Sequence, residues 1–251
     1  MIRSGGWVAA VVLALFPAKP DRTILVSAAA SLTDAMKEIG TAFGTRYPGV
    51  QVRFNFGASG TLAQQIRQGA PVDVFASAGE KEMDELAKAR DLAPKTRKDF
   101  ASNRLALIAP IGSKIRGWAD LASPSVRRIA LPKPELVPSG RYGKETLEHR
   151  RLWNGVQGKL IYANNVRQAL AYVAGGDVDC GIVFVTDAQV EKERVRVVAL
   201  AKPRADHEPI FYPVAAISRS QDPNNAASFA AFLLTKPAQS ILKSRGFAPV
   251  R

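Results

Sequence analysis

Thr23-Ile24-Leu25-Val26-Ser27-Ala28-Ala29-Ala30-Ser31-Leu32-Thr33-Asp34-Ala35-Met36 is the stretch on which the fold turns. Its first eight residues are mostly apolar and include β-branched side chains, as a short buried strand requires. From Leu32 the pattern changes. Leu32, Ala35, Met36, Ile39 and Phe43 recur at the spacing of one helix face. Ser31 stands at the change of period as a candidate N-cap, with Asp34 three residues on as in a capping box. The segment therefore predicts a strand that ends in a small polar turn and leads straight into a helix.

The same unit recurs downstream. Pro48 and Gly49 stop the helix before a second strand over 50–56. Gly57-Ala58-Ser59-Gly60 leads into a helix over 61–68, with Leu62 and Ile66 on one face. A third strand at 72–77 precedes a helix at about 80–89. This alternation implies a parallel sheet with helices on both faces. Further strands are predicted at 104–110, 129–131, 160–162, 180–184, 195–200 and 214–218. A proline-rich loop over 132–138 ends at Ser139-Gly140, which opens a helix to about 152. Asn164-Asn165 precedes a helix with Val166, Ala169, Leu170 and Val173 on its apolar face. Nine strands suit two smaller sheets, one per lobe, better than one large sheet.

Composition narrows the function. The 251 residues fit one large domain or two lobes, and 47% apolar with 23% charged residues is the balance of a soluble globular chain. The net charge of +13 points to nucleic acid, an anionic surface or an anionic ligand. Its basic residues are scattered, the densest groups being Lys95, Arg97 and Lys98, and Arg150 with Arg151. No zinc-finger or RNA-recognition signature accompanies them, so no nucleic-acid partner is expected. Cys180 is the only cysteine, which excludes an intrachain disulfide, and its apolar neighbours predict a buried thiol. His149 and His207 form no metal-ligand spacing. There is no Gly-x-Ser-x-Gly elbow and no P-loop. Neither an enzyme nor a cofactor is expected.

The amino terminus reads as an export signal. Arg3 supplies the positive charge, and residues 7–16 are an unbroken apolar run too short to span a bilayer. Cleavage after Ala18 would leave bulky Phe16 where a small residue is preferred. No cysteine follows the apolar run to carry a lipid. Residues 1–20 are assigned to this signal, and a periplasmic location follows.

The chemistry lies in the turns. At Ser31, Ser59, Ser139 and Asn165-Val166 a strand gives way to a helix whose first N–H groups lack intrahelical partners. Such helix starts bind anions without a charged side chain. Each turn alone is equally well a simple cap. Four become a site only if the fold brings them together.

Six strings supply what spacing does not. Ala28-Ala29-Ala30-Ser31-Leu32-Thr33-Asp34-Ala35, Phe56-Gly57-Ala58-Ser59-Gly60-Thr61-Leu62-Ala63 and Gly69-Ala70-Pro71-Val72-Asp73-Val74-Phe75-Ala76-Ser77-Ala78 occur in that order. Val137-Pro138-Ser139-Gly140-Arg141-Tyr142-Gly143-Lys144-Glu145, Asn165-Val166-Arg167-Gln168-Ala169-Leu170 and Gly181-Ile182-Val183 follow. Together they resemble the periplasmic molybdate-binding proteins of ABC transporters over nearly the whole mature chain. The resemblance implies a type II periplasmic binding fold, two α/β lobes joined by two crossing strands. Residues 21–103 and 213–251 would form lobe one and 104–212 lobe two, with the crossings near 104–110 and 212–218. It implies molybdate or tungstate as ligand, an inner-membrane ABC permease as partner, and a monomer.

Carried over by position, Ser31 and Ser59 would give hydroxyl and N–H donors to the oxyanion, and Ser139 and Val166 backbone N–H groups. Where the family often has a tyrosine donor, this chain has Phe184. Losing a hydrogen bond to a charged group costs about 1.5–3 kcal/mol. The Ser139 hydroxyl or a water is expected to replace it.

On the residues alone, other readings stay open. Sulfate, phosphate or a small carboxylate would suit the same fold, and a periplasmic enzyme of this architecture is a further alternative. Asp73 reads as a strand-end carboxylate and Asp187 as an acid at a helix start. Arg167 is either an exposed charge or a distant attraction for the anion. Trp118 and Trp153 read as packing anchors, and Tyr142 and Tyr162 as core or cleft wall.

Overall fold

The computed structural model describes residues 22–250, so the export signal lies outside the described residues. The first sheet is built from β1 (Arg22–Ala29), β2 (Val50–Gly57), β3 (Val74–Ala76) and β4 (Lys98–Asn103), with β10 (Ile210–Ala216) returning from the far end of the chain. Its order is β2-β1-β3-β10-β4. The second sheet holds β5 (Leu105–Pro110), β6 (Ile129–Pro132), β7 (Leu160–Ala163), β8 (Cys180–Phe184) and β9 (Val195–Leu200) in the order β7-β6-β8-β5-β9.

Between these strands run α1 (Thr33–Arg46), α2 (Ser59–Arg67), α3 (Glu80–Lys88), α4 (Pro138–His149), the short α5 (Trp153–Val156), α6 (Val166–Ala174) and α7 (Val185–Val190). Two more, α8 (Pro223–Phe232) and α9 (Lys236–Ser244), follow β10. The chain is thus two α/β lobes. It passes from the first sheet to the second at Arg104. It comes back within 201–209, and Ile210 to Tyr212 already pair with β4.

The strands joined by helices are parallel, as the alternation predicts: β1 with β2 and β3, and β6 with β7 and β8. Pairing changes where the chain crosses. β10 runs antiparallel to β3 and β4, and β5 antiparallel to β8 and β9. Ten strands are present among the described residues. The one absent from the sequence reading is β4, whose Lys-Asp-Phe-Ala-Ser-Asn has neither a β-branched run nor clean alternation. Its partner β10 makes it a strand, a case of tertiary pairing overriding local preference.

The cores are close-packed around the sheets. In lobe one, Ile24 and Val26 of β1 are fully buried beneath Met36, Ile39 and Phe43 of α1. Phe43 meets Phe229 edge-on at 5.1 Å, tying the C-terminal helices to the same lobe. In lobe two, α4 begins hard against the end of β6. A side chain at Gly140 would place its Cβ 2.0 Å from the Pro132 carbonyl oxygen, so only glycine fits there.

Candidate anion site between the lobes

All five residues singled out for the ligand sit at carboxyl ends of parallel strands, the edge of an open α/β sheet where ligands bind. Ser31 follows β1, Ser59 follows β2, Ser139 follows β6, Val166 follows β7, and Phe184 ends β8. The fold brings them together around one small pocket between the lobes. Ala29, Ala30, Gly57, Ala58, Ala78, Val137, Pro138 and Asn165 complete its wall, and no charged side chain among the described residues lines it. The three serines are at most 3% exposed.

Only one of the four turns uses its polar side chain as a cap. Asn165 Oδ1 accepts from Gln168 N–H at 3.0 Å. Ser31 is not the cap of α1. It lies in a 3-10 turn over Ala30–Leu32, the helix starts two residues later at Thr33, and Leu32 holds the cap position. Nor does Asp34 close a capping box, because its carboxylate reaches Arg167 of the other lobe at 2.7 Å. Ser59 and Ser139 lie inside the first turns of α2 and α4, after caps at Ala58 and Val137.

That placement leaves the serine hydroxyls free for other work. Ser59 Oγ accepts from Ala78 N–H at 3.1 Å. Ser31 Oγ lies 3.0 Å from the Tyr212 hydroxyl. Ser139 Oγ is fully buried and has no protein partner. The N–H groups of Ser59, Ser139 and Val166, each in a first helical turn, donate to no other backbone carbonyl among the described residues. The pocket therefore offers several neutral donors. Asn165 Oδ1, the one side-chain amide oxygen in its wall, is already occupied by the cap.

The lobes are fastened around the pocket. Gly60 N–H of α2 donates to the Leu136 carbonyl of lobe two at 2.8 Å. Arg141 of α4 holds Glu82 of α3 through two contacts, 2.7 and 3.3 Å, and Glu82 is 2% exposed. Arg167 spans the cleft on the other side, with Nη2 on Asp34 and Nε on Asp187 at 2.6 Å. Arg167 is therefore a clamp between lobes. Its two carboxylate partners absorb the charge that would otherwise face the anion. Burial pushes the Asp187 carboxyl up to about 6, against the pull of Arg167.

The remaining candidates have structural duties. Asp73 accepts from Leu25 N–H at 2.7 Å and from the Ser220 hydroxyl at 2.6 Å, a strand-end brace. Trp118 is buried, with its indole N–H on the Leu200 carbonyl. Tyr142 is buried beside the lobe junction, whereas Tyr162 is 47% exposed and belongs to neither core nor cleft wall. Cys180 is buried, and that burial pushes its thiol up to about 12. No group of three or more potential metal ligands occurs among the described residues.

Two residues next to the site escaped the sequence reading. Tyr212 on β10 is fully buried, with its ring 5.8 Å from that of Phe184. Burial first, then the nearby Asp187 charge, holds its phenol well above the ordinary value, so the proton stays on. Asn103 ends β4 and bonds to both Tyr212 and Thr186. A tyrosine before Pro213 in an otherwise apolar run is the one sequence signal available. It gave no hint of a partner 181 positions away.

Comparison with known proteins agrees with the six strings. Residues 24–248 match the family described as bacterial extracellular solute-binding protein. The chain is 39% identical over 235 residues to the molybdate-binding protein ModA of Escherichia coli K12, covering 89% of this chain and 88% of that one. It is 35% identical to ModA of Haemophilus influenzae, covering 90% and 89%. Among solved structures, the periplasmic molybdate-binding protein of Azotobacter vinelandii superposes with a TM-score of 0.80 at 25% identity, over 91% of this chain and all of that one.

Proposed function

The chain belongs to the bacterial extracellular solute-binding protein family, and from that premise we propose that it captures molybdate or tungstate between its lobes and delivers it to an ABC importer. The observation that carries the reading is the pocket itself. It is small, uncharged and walled by hydrogen-bond donors from both lobes, and it contains a buried hydroxyl, Ser139 Oγ, with no protein partner. An orphaned buried hydroxyl needs a partner that the protein does not supply, such as an ion or a water.

Donors of this kind suit a fully deprotonated dianion. Ser31, Ser59 and Ser139 would give hydroxyl protons, and Ser59, Ser139 and Val166 backbone N–H groups. These dipoles are set before the ion arrives, so little reorganisation opposes binding. Monohydrogen phosphate brings a proton that finds no acceptor, at a cost of about 1–3 kcal/mol. Phe184 contributes only an apolar wall, and the Ser139 hydroxyl stands in for the donor a tyrosine would bring there. The protein would work in the periplasm as a monomer, its closed lobes presenting a joint surface to an inner-membrane permease.

Calorimetry of the ligand-free protein against molybdate, tungstate, sulfate and phosphate tests this. Binding of molybdate and tungstate at one site per chain, with sulfate and phosphate at least about 100-fold weaker, is expected; two such decades correspond to about 2.8 kcal/mol. Heat with sulfate and none with molybdate overturns the assignment.

A further inference from the structure

Tyr212 does not line the pocket, yet its hydroxyl reaches Ser31, which does. The direction of that hydrogen bond can be worked out from Asn103. Asn103 Oδ1 accepts from Arg104 N–H at 2.9 Å, which fixes the amide so that Nδ2 points the other way. Nδ2 can only donate. It does so to Thr186 Oγ1 at 2.9 Å and to Tyr212 Oη at 3.1 Å. The Tyr212 oxygen is thus an acceptor toward Asn103, and its own proton needs an outlet. Ser31 Oγ, 3.0 Å away, is the partner the structure provides. Ser31 then accepts from the phenol and keeps its own proton for another direction, and the pocket is the open one.

Ser59 reaches the same state more simply. Its oxygen accepts from a backbone amide, Ala78 N–H, and its proton is likewise free. Two serines from one lobe are made donors by two unrelated devices. A hydroxyl that accepts one hydrogen bond also donates the next more strongly.

We infer that Tyr212 is a positioning residue for the anion site: held by Asn103, it gives its proton to Ser31 and so turns the Ser31 hydroxyl into a donor aimed at the ligand. This rests on the reading of the pocket as an oxyanion site. Tyr212, on the first sheet, packs its ring 5.8 Å from that of Phe184 on the second and acts on the site at one remove, through Ser31. Asn103 is the last residue before the chain crosses to lobe two, and Thr186 lies in lobe two, so the relay also spans the junction between the lobes.

A double-mutant cycle tests it by calorimetry, using whichever of molybdate, tungstate and sulfate the wild type binds most tightly. The choice of anion tests the functional reading; the cycle tests the relay. Tyr212→Phe keeps the ring and removes the hydroxyl, and is expected to weaken binding about tenfold; Ser31→Ala is expected to weaken it further. Adding Tyr212→Phe to Ser31→Ala should change affinity less than twofold, because the only route from Tyr212 to the anion is already gone. A purely structural tyrosine would make the two losses multiply. Asn103→Ala, run in the same cycle, should be equally silent in the Ser31→Ala background and serves if Tyr212→Phe fails to fold. Multiplying losses, or a Tyr212→Phe protein that binds as tightly as wild type, overturns the relay. A wild type that binds none of the three anions overturns both readings.

Discussion

The lobes bring different kinds of donor to the pocket. In lobe one, both hydroxyls are already engaged: Ser59 by the Ala78 amide and Ser31 by the Tyr212 phenol. In lobe two, the Ser139 hydroxyl has no partner among the described residues, and Val166 would supply only its backbone. One half of the proposed site is held in place by its own lobe, and the other half would find its partner in the ion. The difference teaches where binding energy is kept. On the proposed reading, lobe one would lose little freedom when the anion arrives, whereas the lobe-two hydroxyl would gain its only hydrogen bond at that moment.

The comparison presumes that the lobes close on each other, and Gly60 is the place to break it. Its N–H reaches the Leu136 carbonyl across the cleft, and a Cβ there would lie 2.7 Å from that oxygen and 2.9 Å from the Leu136 Cα. Backbone on the opposing lobe cannot give way without the cleft widening. Within lobe one the same change is harmless, since alanine favours a helix over glycine by about 1 kcal/mol. Gly60→Ala should therefore lower anion affinity at least about 100-fold, or about 2.8 kcal/mol, while the melting temperature of the ligand-free protein stays level or rises. Calorimetry paired with thermal unfolding reads both. Unchanged affinity would mean that the closed contact is not needed for binding.

Ser59→Ala probes the held half. It removes a donor to the anion and also strands the buried Ala78 N–H that the Ser59 oxygen accepts from. The two losses fall on different observables. Affinity should drop about 10–100-fold, and the ligand-free protein should lose about 1–3 kcal/mol of stability for the unpaired amide. Calorimetry and denaturant unfolding separate them. A stability change without an affinity change would leave Ser59 as a brace for the loop after β3 and remove it from the site.

How much of this the sequence shows depends on how local each feature is. The strand-turn-helix units are written in adjacent residues, so β1, β2, β6 and β7 and the four turns at their ends are legible from period changes and small polar residues alone. Convergence of those turns is not local, and it came through resemblance to a family. Features that depend on chain crossing stayed hidden. β4 has no strand pattern of its own and exists because β10 lies beside it. Tyr212 meets Ser31 only because β10 returns to the first sheet next to β3. Arg167 read as a surface charge or an attraction for the anion, because nothing near it in sequence announces two acidic partners, Asp34 and Asp187, 133 and 20 positions away. Ser31 departs from its expected role as a cap for the opposite reason. Its local sequence fits a capping box, but one 3-10 turn delays the helix to Thr33 and frees the hydroxyl for Tyr212.

Ser139→Ala is the smallest perturbation and the sharpest test of the contrast between the halves. No protein group depends on the Ser139 hydroxyl, so nothing is stranded when it goes. Burying a hydroxyl without a partner is itself unfavourable, so the ligand-free variant should be as stable as wild type or slightly more so. The backbone N–H remains, because alanine keeps it. Only the hydroxyl's bond to the anion is lost, and affinity should fall about tenfold, or about 1.4 kcal/mol, the low end for a bond to a charged group. The signs are thus opposed: stability up or level, affinity down. For Ser59→Ala both fall. If Ser139→Ala also left affinity unchanged, the orphaned hydroxyl would not be the substitute for the tyrosine that Phe184 displaces. The lobe-two contribution would then reduce to backbone amides, and the donors of lobe one would carry a correspondingly larger share.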